Sequence, residues 1–313
     1  MKKTILIALL FLAASAASAQ QVTFSVGDGL ENSPLKEKIN ANISQLLSEI
    51  NNAYLTSRAL DLSKISITDG AVRSMTMLWR NSPFYCDDRQ VVERIIQTYG
   101  PGYQLRNIPI EMTDPSGKEV YQELIIGMNA EGVITLVNFA IESPLYRQVM
   151  ASASGVRDLR HRQQIFDFLE QFRTSYNRKD LYFLELFGCD DALIVTGTVV
   201  KKYVRDQVFV LKDEIKSGKD AKTDYFNNLR RILVQAKYIE VNVSDVQVTR
   251  HPALDDFYGV RVRLRYETPN QSDEGYVFMI WDFSDEARPQ IHVRTWQAPG
   301  ETPIINFDSF TIK

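Results

Sequence analysis

Cysteine is nearly missing from this 313-residue chain, which has only Cys86 and Cys189. Two thiols allow a single intramolecular bridge and exclude a disulfide scaffold. The pair is either one bridge between the two halves of the chain or two buried small hydrophobes. Histidine is almost as scarce, with three, and His161, His251 and His292 lie far apart. Without HExxH or CxxC spacing, neither a metal centre nor another cofactor is expected. A positive surplus is also lacking: 36 Lys+Arg stand against 39 Asp+Glu, a formal charge of −3. That excludes a dedicated nucleic-acid binder, whose phosphate contacts need a basic excess. No GxSxG elbow, GxxxxGK phosphate loop or helix-opening GxGxxG occurs, so serine-hydrolase and nucleotide chemistry lack their usual residues. No apolar run approaches the ~20 residues that span a bilayer, and no transmembrane segment is expected.

What is present is an ordinary globular balance, 44% hydrophobic and 24% charged, over a length that suggests about two domains. The first 19 residues read as an export signal. Lys2 and Lys3 precede the apolar run from Ile5 to Ala14, and Ala17-Ser18-Ala19 offers the small-residue cleavage site. Cleavage would start the chain near Gln20, and loss of the two lysines would move the charge from −3 to −5. No cysteine stands at the cut to carry a lipid. A periplasmic or secreted protein is expected.

The two halves carry related patterns. Ile43, Leu46, Leu47, Ile50 and Tyr54 repeat at the spacing of Ile165, Phe168, Leu169, Phe172 and Tyr176, and both sets predict a one-sided helix. Continuing the comparison predicts a short helix over Leu60 to Ile65 to match Leu181 to Phe187, and a strand over Ala71 to Trp79 to match Ala192 to Val200. A third helix is expected after Asp87-Asp88, over Val91 to Ile96, to match one after Asp224. Strands then close each half: Leu105 to Met112, Glu119 to Met128 and Val133 to Ile141 in the first. The second half has four, beginning with the alternations Ile239, Val241, Val243 and Val260, Val262, Leu264, followed by Gly275 to Phe283 and Gln290 to Gln297. Val22, Phe24 and Val26 supply a candidate extra strand for the first half.

The predicted organisation is a leader (1–19), an N-terminal segment (20–34), a first domain (35–150), a second domain (151–298) and a tail (299–313). The small residues of Ala151-Ser152-Ala153-Ser154-Gly155 mark the boundary, and residues 212–222 form a second loose stretch. The tail, with Ile304, Ile305, Phe307, Phe310 and Ile312, is too apolar to be a free coil and is expected to pack back on a domain.

The second half opens with Phe168 to Asp180, Leu184-Glu185-Leu186-Phe187 and Asp190-Asp191-Ala192-Leu193-Ile194. It closes with Gly275-Tyr276-Val277-Phe278, Trp281-Asp282-Phe283 and Pro289 to Gln297. These segments resemble the nuclear transport factor 2-like cone superfamily, in particular exported bacterial members of no assigned activity. The first half resembles a divergent copy in element order alone. The resemblance implies an α+β fold of two tandem cone-shaped domains, each of about three helices packed on a curved antiparallel sheet. It does not carry a function, because the superfamily includes isomerases, dehydratases and non-catalytic binders.

The superfamily's enzymes work from the mouth of the cone with a carboxylate or histidine base and donors such as tyrosine, so Tyr176 and Asp282 are the pocket candidates. Burial would raise the pKa of an inward Asp282, whereas a position near a strand end favours solvent or an arginine partner. Alternation places His292, Arg294 and Trp296 together, opposite Ile291 and Val293. With the apolar pair facing the core, these three share the outer sheet face with Arg261, Arg263 and Arg265. Such a face is either a docking surface or a solvated one neutralised by acids such as Glu240. His251 reads as a turn residue and His161 as part of a charged helix start. The functional expectation is a non-enzymatic binding or assembly module of the cell envelope, partnered by an envelope protein, itself or a small ligand. The alternative is a small-molecule isomerase or lyase acting in the second cone.

Overall fold

The computed structural model describes residues 21–31, 33–98, 100–113, 117–186, 193–195, 199–200, 210–211, 216–217, 219–302 and 304–310. The expected leader, Cys189 and part of the 212–222 stretch lie outside the described residues. The chain is α+β, with two six-stranded sheets, and no described helix is long and apolar enough to cross a membrane.

The first half runs β1 (Thr23–Asp28), α1 (Pro34–Leu55), α2 (Asp69–Asn81), β2 (Phe84–Tyr85), β3 (Gln90–Gln97), β4 (Gly102–Thr113), β5 (Glu119–Asn129) and β6 (Ile134–Phe139). Its sheet has the order β1-β3-β4-β5-β6, with β2 on β4. The Val22–Val26 alternation is thus a strand of this sheet, paired in parallel with β3. Three expectations are corrected. Ala71 to Trp79 is helical, capped by the Thr68 hydroxyl. Its buried Ala71, Met75, Leu78 and Trp79 fall at i, i+4, i+7 and i+8, a helical period. Val91 to Ile96 is a strand, with Val91 and Ile95 inward and Val92 and Arg94 outward, as suits its β-branched residues. Leu60 to Ile65 is an irregular turn. The element order of the first half therefore differs from that of the second.

The second half runs α3 (Ser143–Ala151), α4 (Val156–Arg178), α5 (Leu181–Leu186), β7 (Leu193–Val195), β8 (Val199–Val200), β9 (Val210–Leu211), β10 (Lys216–Ser217), α6 (Lys219–Gln235), β11 (Glu240–Arg250), β12 (Phe257–Thr268), β13 (Gln271–Asp282) and β14 (Gln290–Gln297). Strands β10-β7-β14-β13-β12-β11 form its sheet, and β11 to β14 are the four closing strands expected there. The expected third helix starts at Lys219, so Asp224 lies within it instead of before it, and the described part of the expected Ala192–Val200 strand is two short strands, of which β8 pairs with β9 outside this sheet. Ile165, Phe168, Leu169, Phe172 and Tyr176 pack α4 on the sheet together with Phe226, Leu229 and Leu233 of α6. Ile141 and Val149 already belong to this second core. The tail packs back as expected: Ile305, Phe307 and Phe310 cover Phe278, Ile280 and Val293 on the sheet's outer face.

Both edges of the first sheet are closed by helix side chains. The amides of Val22, Phe24 and Val26 donate to Ser48 Oγ (3.1 Å), Ser44 Oγ (2.8 Å) and Asn40 Oδ1 (2.8 Å) of α1. At the other edge, the amides of Phe139 and Ile141 donate to Thr174 Oγ1 and Glu170 Oε1 of α4, each at 3.0 Å. The match is geometric. Four helical residues rise about 6 Å, close to the ~6.6 Å between alternate residues of a strand, so polar side chains at i, i+4 meet strand amides at i, i+2. Edge amides that would otherwise invite another strand are thereby satisfied.

Because α4 lies between the halves, its polar side is also buried. Glu170, 1% exposed, takes a two-pronged contact from Arg106 of β4. Arg106 stacks over Tyr146 (4.1 Å) and donates to Gln104, which donates to Asp167 at 3.2 Å. Arg173 joins three elements, donating to Val241 O, Ala140 O and Gln122 Oε1. Burial pushes Glu170 up to about 7 and Asp167 up to about 6, against the lowering pull of Arg106.

Replacing Glu170 by Ala strands Arg106 and the Ile141 amide, and should cost about 3–5 kcal/mol in denaturant unfolding. A carboxyl raised on folding contributes stability that is full below its unfolded pKa and is lost as pH rises through the folded value. Wild type should therefore lose stability relative to Glu170→Gln between pH 5 and pH 8. A relative gain over that range would contradict the assignment.

Candidate functional site

The facing of the β14 candidates is decided by one irregularity between β13 and β14. Ile280 pairs with Val293, but the next residue, Trp281, pairs with Ile291, so His292 is an extra residue in β14. Such a bulge reverses the alternation on one side of itself. Ile291 faces the core under α4 whereas Val293 joins the outer cluster. Arg294 and Trp296 consequently face inward. The Arg294 guanidinium lies 4.9 Å from the Phe172 ring and its Nη2 donates to Tyr176 Oη at 3.4 Å. Trp296 packs on the second core. This corrects the expectation that both share the outer face with the β12 arginines.

The outer face holds the rest. Arg261 stacks on Tyr276 (3.9 Å) and lies 4.0 Å from Asp245, Arg263 pairs with Glu274, and Arg265 pairs with Glu267 at 2.6 Å. Each arginine of the stripe thus has a carboxylate partner. His292 Nε2 and Asp282 Oδ2 are 2.8 Å apart, and the imidazole stacks beside Phe257 of the outer cluster. Burial pushes the Asp282 carboxyl up, but hydrogen bonds from Ser284 and His292 outweigh it and hold the group below its ordinary value. Asp282 is therefore an ionised partner on the outer face, not a raised acid turned toward α4.

Two histidines differ in setting. His251 accepts the Ala253 and Leu254 amides at 3.2 and 3.0 Å, closing its turn as expected. His161 is only 1% exposed, stacked on Phe283 at 4.2 Å with Nδ1 3.3 Å from Tyr258 Oη. Burial, with Arg157 and Arg160 nearby, lowers its pKa, so it is a neutral core imidazole. Cys86 is buried too, its thiol pushed up to about 11 by burial.

The space between α4 and the sheet is filled by aromatics: Phe168 meets Phe172, Phe183 and Trp281 at ring separations of 4.9 to 6.2 Å. Toward the C-terminal end of α4 the lining becomes polar. Tyr176 meets Tyr266 edge-on at 5.8 Å, beside half-buried Arg294 and Trp296. Tyr266 Oη is enclosed without a hydrogen-bond partner among the described residues, and so is Trp281 Nε1 farther along the same face. Tyr266 was not among the residues singled out from sequence. Its position two residues beyond the inward Leu264 was the available signal. Room for Trp296 comes from Gly275, where a Cβ would stand 2.7 Å from the indole and 2.8 Å from Gln297 O.

No protein-family model and no curated protein matches the chain. Solved structures do. Bd1075 of Bdellovibrio bacteriovorus matches at 15% identity and TM-score 0.34, over 54% of this chain and 49% of that one. A domain of unknown function with a cystatin-like fold from Nostoc punctiforme matches at 12% identity and TM-score 0.32, over 47% and 78%. A provisionally assigned dehydratase of the NTF2-like family from Streptomyces avermitilis matches at 11% identity and TM-score 0.32, over 46% and 96%. The chain thus spans about half the length of the Bdellovibrio protein.

Gly275→Ala should displace the Trp296 indole, costing about 1–3 kcal/mol as an overpacking change and altering tryptophan emission. An unchanged spectrum with unchanged stability would contradict the placement of Trp296.

Proposed function

We propose that the chain is an exported, non-enzymatic binding module of the cell envelope, with its recognition surface at the polar end of the second sheet's α4-facing side. The observation that carries this reading is the β14 bulge. It turns the Arg294 guanidinium and the Trp296 indole to the face where Tyr176 and Tyr266 meet, aromatic residues that bring large contact area with few rotamers to fix. Export is supported by Lys2, Lys3, the Ile5–Ala14 run and Ala17-Ser18-Ala19.

The isomerase or lyase alternative requires an acid or imidazole turned into the cone. The acid expected there, Asp282, is instead engaged with His292 on the opposite face. A docking role for the Arg261, Arg263 and Arg265 stripe is weakened by the carboxylates that already neutralise it, since exposed paired charges contribute little.

The test is mass spectrometry of the protein recovered from the envelope of its producing cells. Intact mass is expected to start at Gln20, and native spectra to show a retained small molecule that Trp296→Ala loses. An uncleaved cytoplasmic chain would contradict export. Identical native spectra for wild type and variant would contradict the binding surface.

A further inference from the structure

Independently of the proposed binding surface, we infer that the junction between the two halves is a proton-dependent latch. Asp167 and Glu170 of α4 hold Gln104 and Arg106 of β4 with one proton kept between the two carboxyl groups, and release of that proton to solvent loosens the junction.

The latch follows from the number of charges and hydrogen bonds brought together. Asp167 and Glu170 stand three residues apart on α4 and so share a face, and two carboxyl groups there meet a single guanidinium. Glu170 takes both of its prongs: Arg106 Nη1 donates to Oε2 at 3.0 Å and Nη2 donates to Oε1, which also accepts the Ile141 amide at 3.0 Å. Arg106 Nη1 donates as well to Gln104 Oε1 at 3.2 Å, which fixes the orientation of that amide. Gln104 Nε2 is thereby turned to Asp167 Oδ1 at 3.2 Å, and among the described residues this neutral amide is the one group that donates to Asp167.

The other charged and titratable groups packed around the array do not supply a second cation. Tyr146 of α3 lies 4.1 Å from the Arg106 guanidinium, and burial raises its pKa, so the phenol stays neutral. Arg173, on the turn of α4 after Glu170, gives its hydrogen bonds to Val241 O, Ala140 O and Gln122 Oε1, and its charge acts on Glu142 and Glu240 as well as on Glu170. Full ionisation would therefore set two negative charges against one positive where water is largely excluded. Burial pushes both carboxyl groups up and the charge on Asp167 pushes Glu170 up further, against the lowering pull of Arg106. One retained proton restores one carboxylate to one guanidinium, and the two groups titrate as a pair. A carboxyl raised on folding contributes stability that is full below its unfolded pKa and lost as pH rises through the folded value. With folded values of about 6 and about 7, the junction is tightest in mild acid and loosens toward pH 8.

Hydrogen exchange of the full chain at pH 5 and pH 8, with intrinsic rates divided out, reads the latch at its own amides. Those of Phe139 and Ile141, bonded to Thr174 and Glu170, should lose about tenfold or more of their protection at pH 8, the effect of one proton released across a shift of a unit or more. The Val22, Phe24 and Val26 amides, bonded to uncharged side chains of α1, should keep theirs. Asp167→Asn, which retains an acceptor for Gln104, should abolish most of the loss at Phe139 and Ile141, whereas a purely structural role for Asp167 would leave the pH response intact. The carboxyl-carbon NMR signals of Asp167 and Glu170 should show a titration between pH 5 and pH 8 in wild type. Equal protection of Phe139 and Ile141 at the two pH values, the full loss persisting in Asp167→Asn, or both carboxyl carbons titrating below pH 5 would each overturn the latch.

Discussion

The Glu170 carboxylate is the interaction on which the joining of the two halves depends. One of its oxygens accepts the Ile141 amide at the edge of the first sheet, and both accept from Arg106 in that sheet's β4. The residue itself belongs to α4, the helix that packs the second core. A single side chain thus closes an edge, neutralises a buried guanidinium and ties two cores together. Thr174 repeats the edge contact one turn on, and Arg173 extends the bonding to Gln122, Ala140 and Val241. Buried charge is rarely a source of net stability, because desolvation offsets the attraction. Its effect here is to make one docking of α4 far better than any other, since a shifted register would strand several groups at once.

The same physical problem, unpaired strand amides, is solved at the opposite edge by uncharged side chains. Asn40, Ser44 and Ser48 present oxygens to β1 along one face of α1. The difference in chemistry follows the difference in surroundings. Serine and asparagine satisfy an amide without a charge to compensate, whereas α4 must also meet Arg106 and needs a carboxylate.

Much of the second half was legible in the sequence because its strands alternate cleanly and α4 carries a one-sided apolar stripe. The first half was less so. Val91 to Ile96 places apolar residues in adjacent pairs four apart, a spacing that fits a helix face as readily as a strand, and the β-branched content was the better guide. Ala71 to Trp79 matches a strand of the other half in element order, yet its four buried residues have helical spacing. The polar side of α4 offers no sign in isolation that it is buried, since Glu170, Arg173 and Thr174 would suit a solvated face equally well. The candidate site failed to resolve for a different reason. One extra residue, His292, reverses the facing of everything after it, and no periodicity within β14 reveals a bulge imposed by its neighbour. Composition of the site was therefore readable, while its division between two faces was not.

The account rests on α4 acting as the covering element of the first sheet's edge, and native-state hydrogen exchange tests that most directly. Amides bonded only to a partner helix exchange when that helix departs. The amides of Phe139 and Ile141 should therefore be protected to the level of the slowest amides in α4, with denaturant dependence indicating release together. Exchange of either amide at the rate of an open strand edge, while α4 remains protected, would contradict the account.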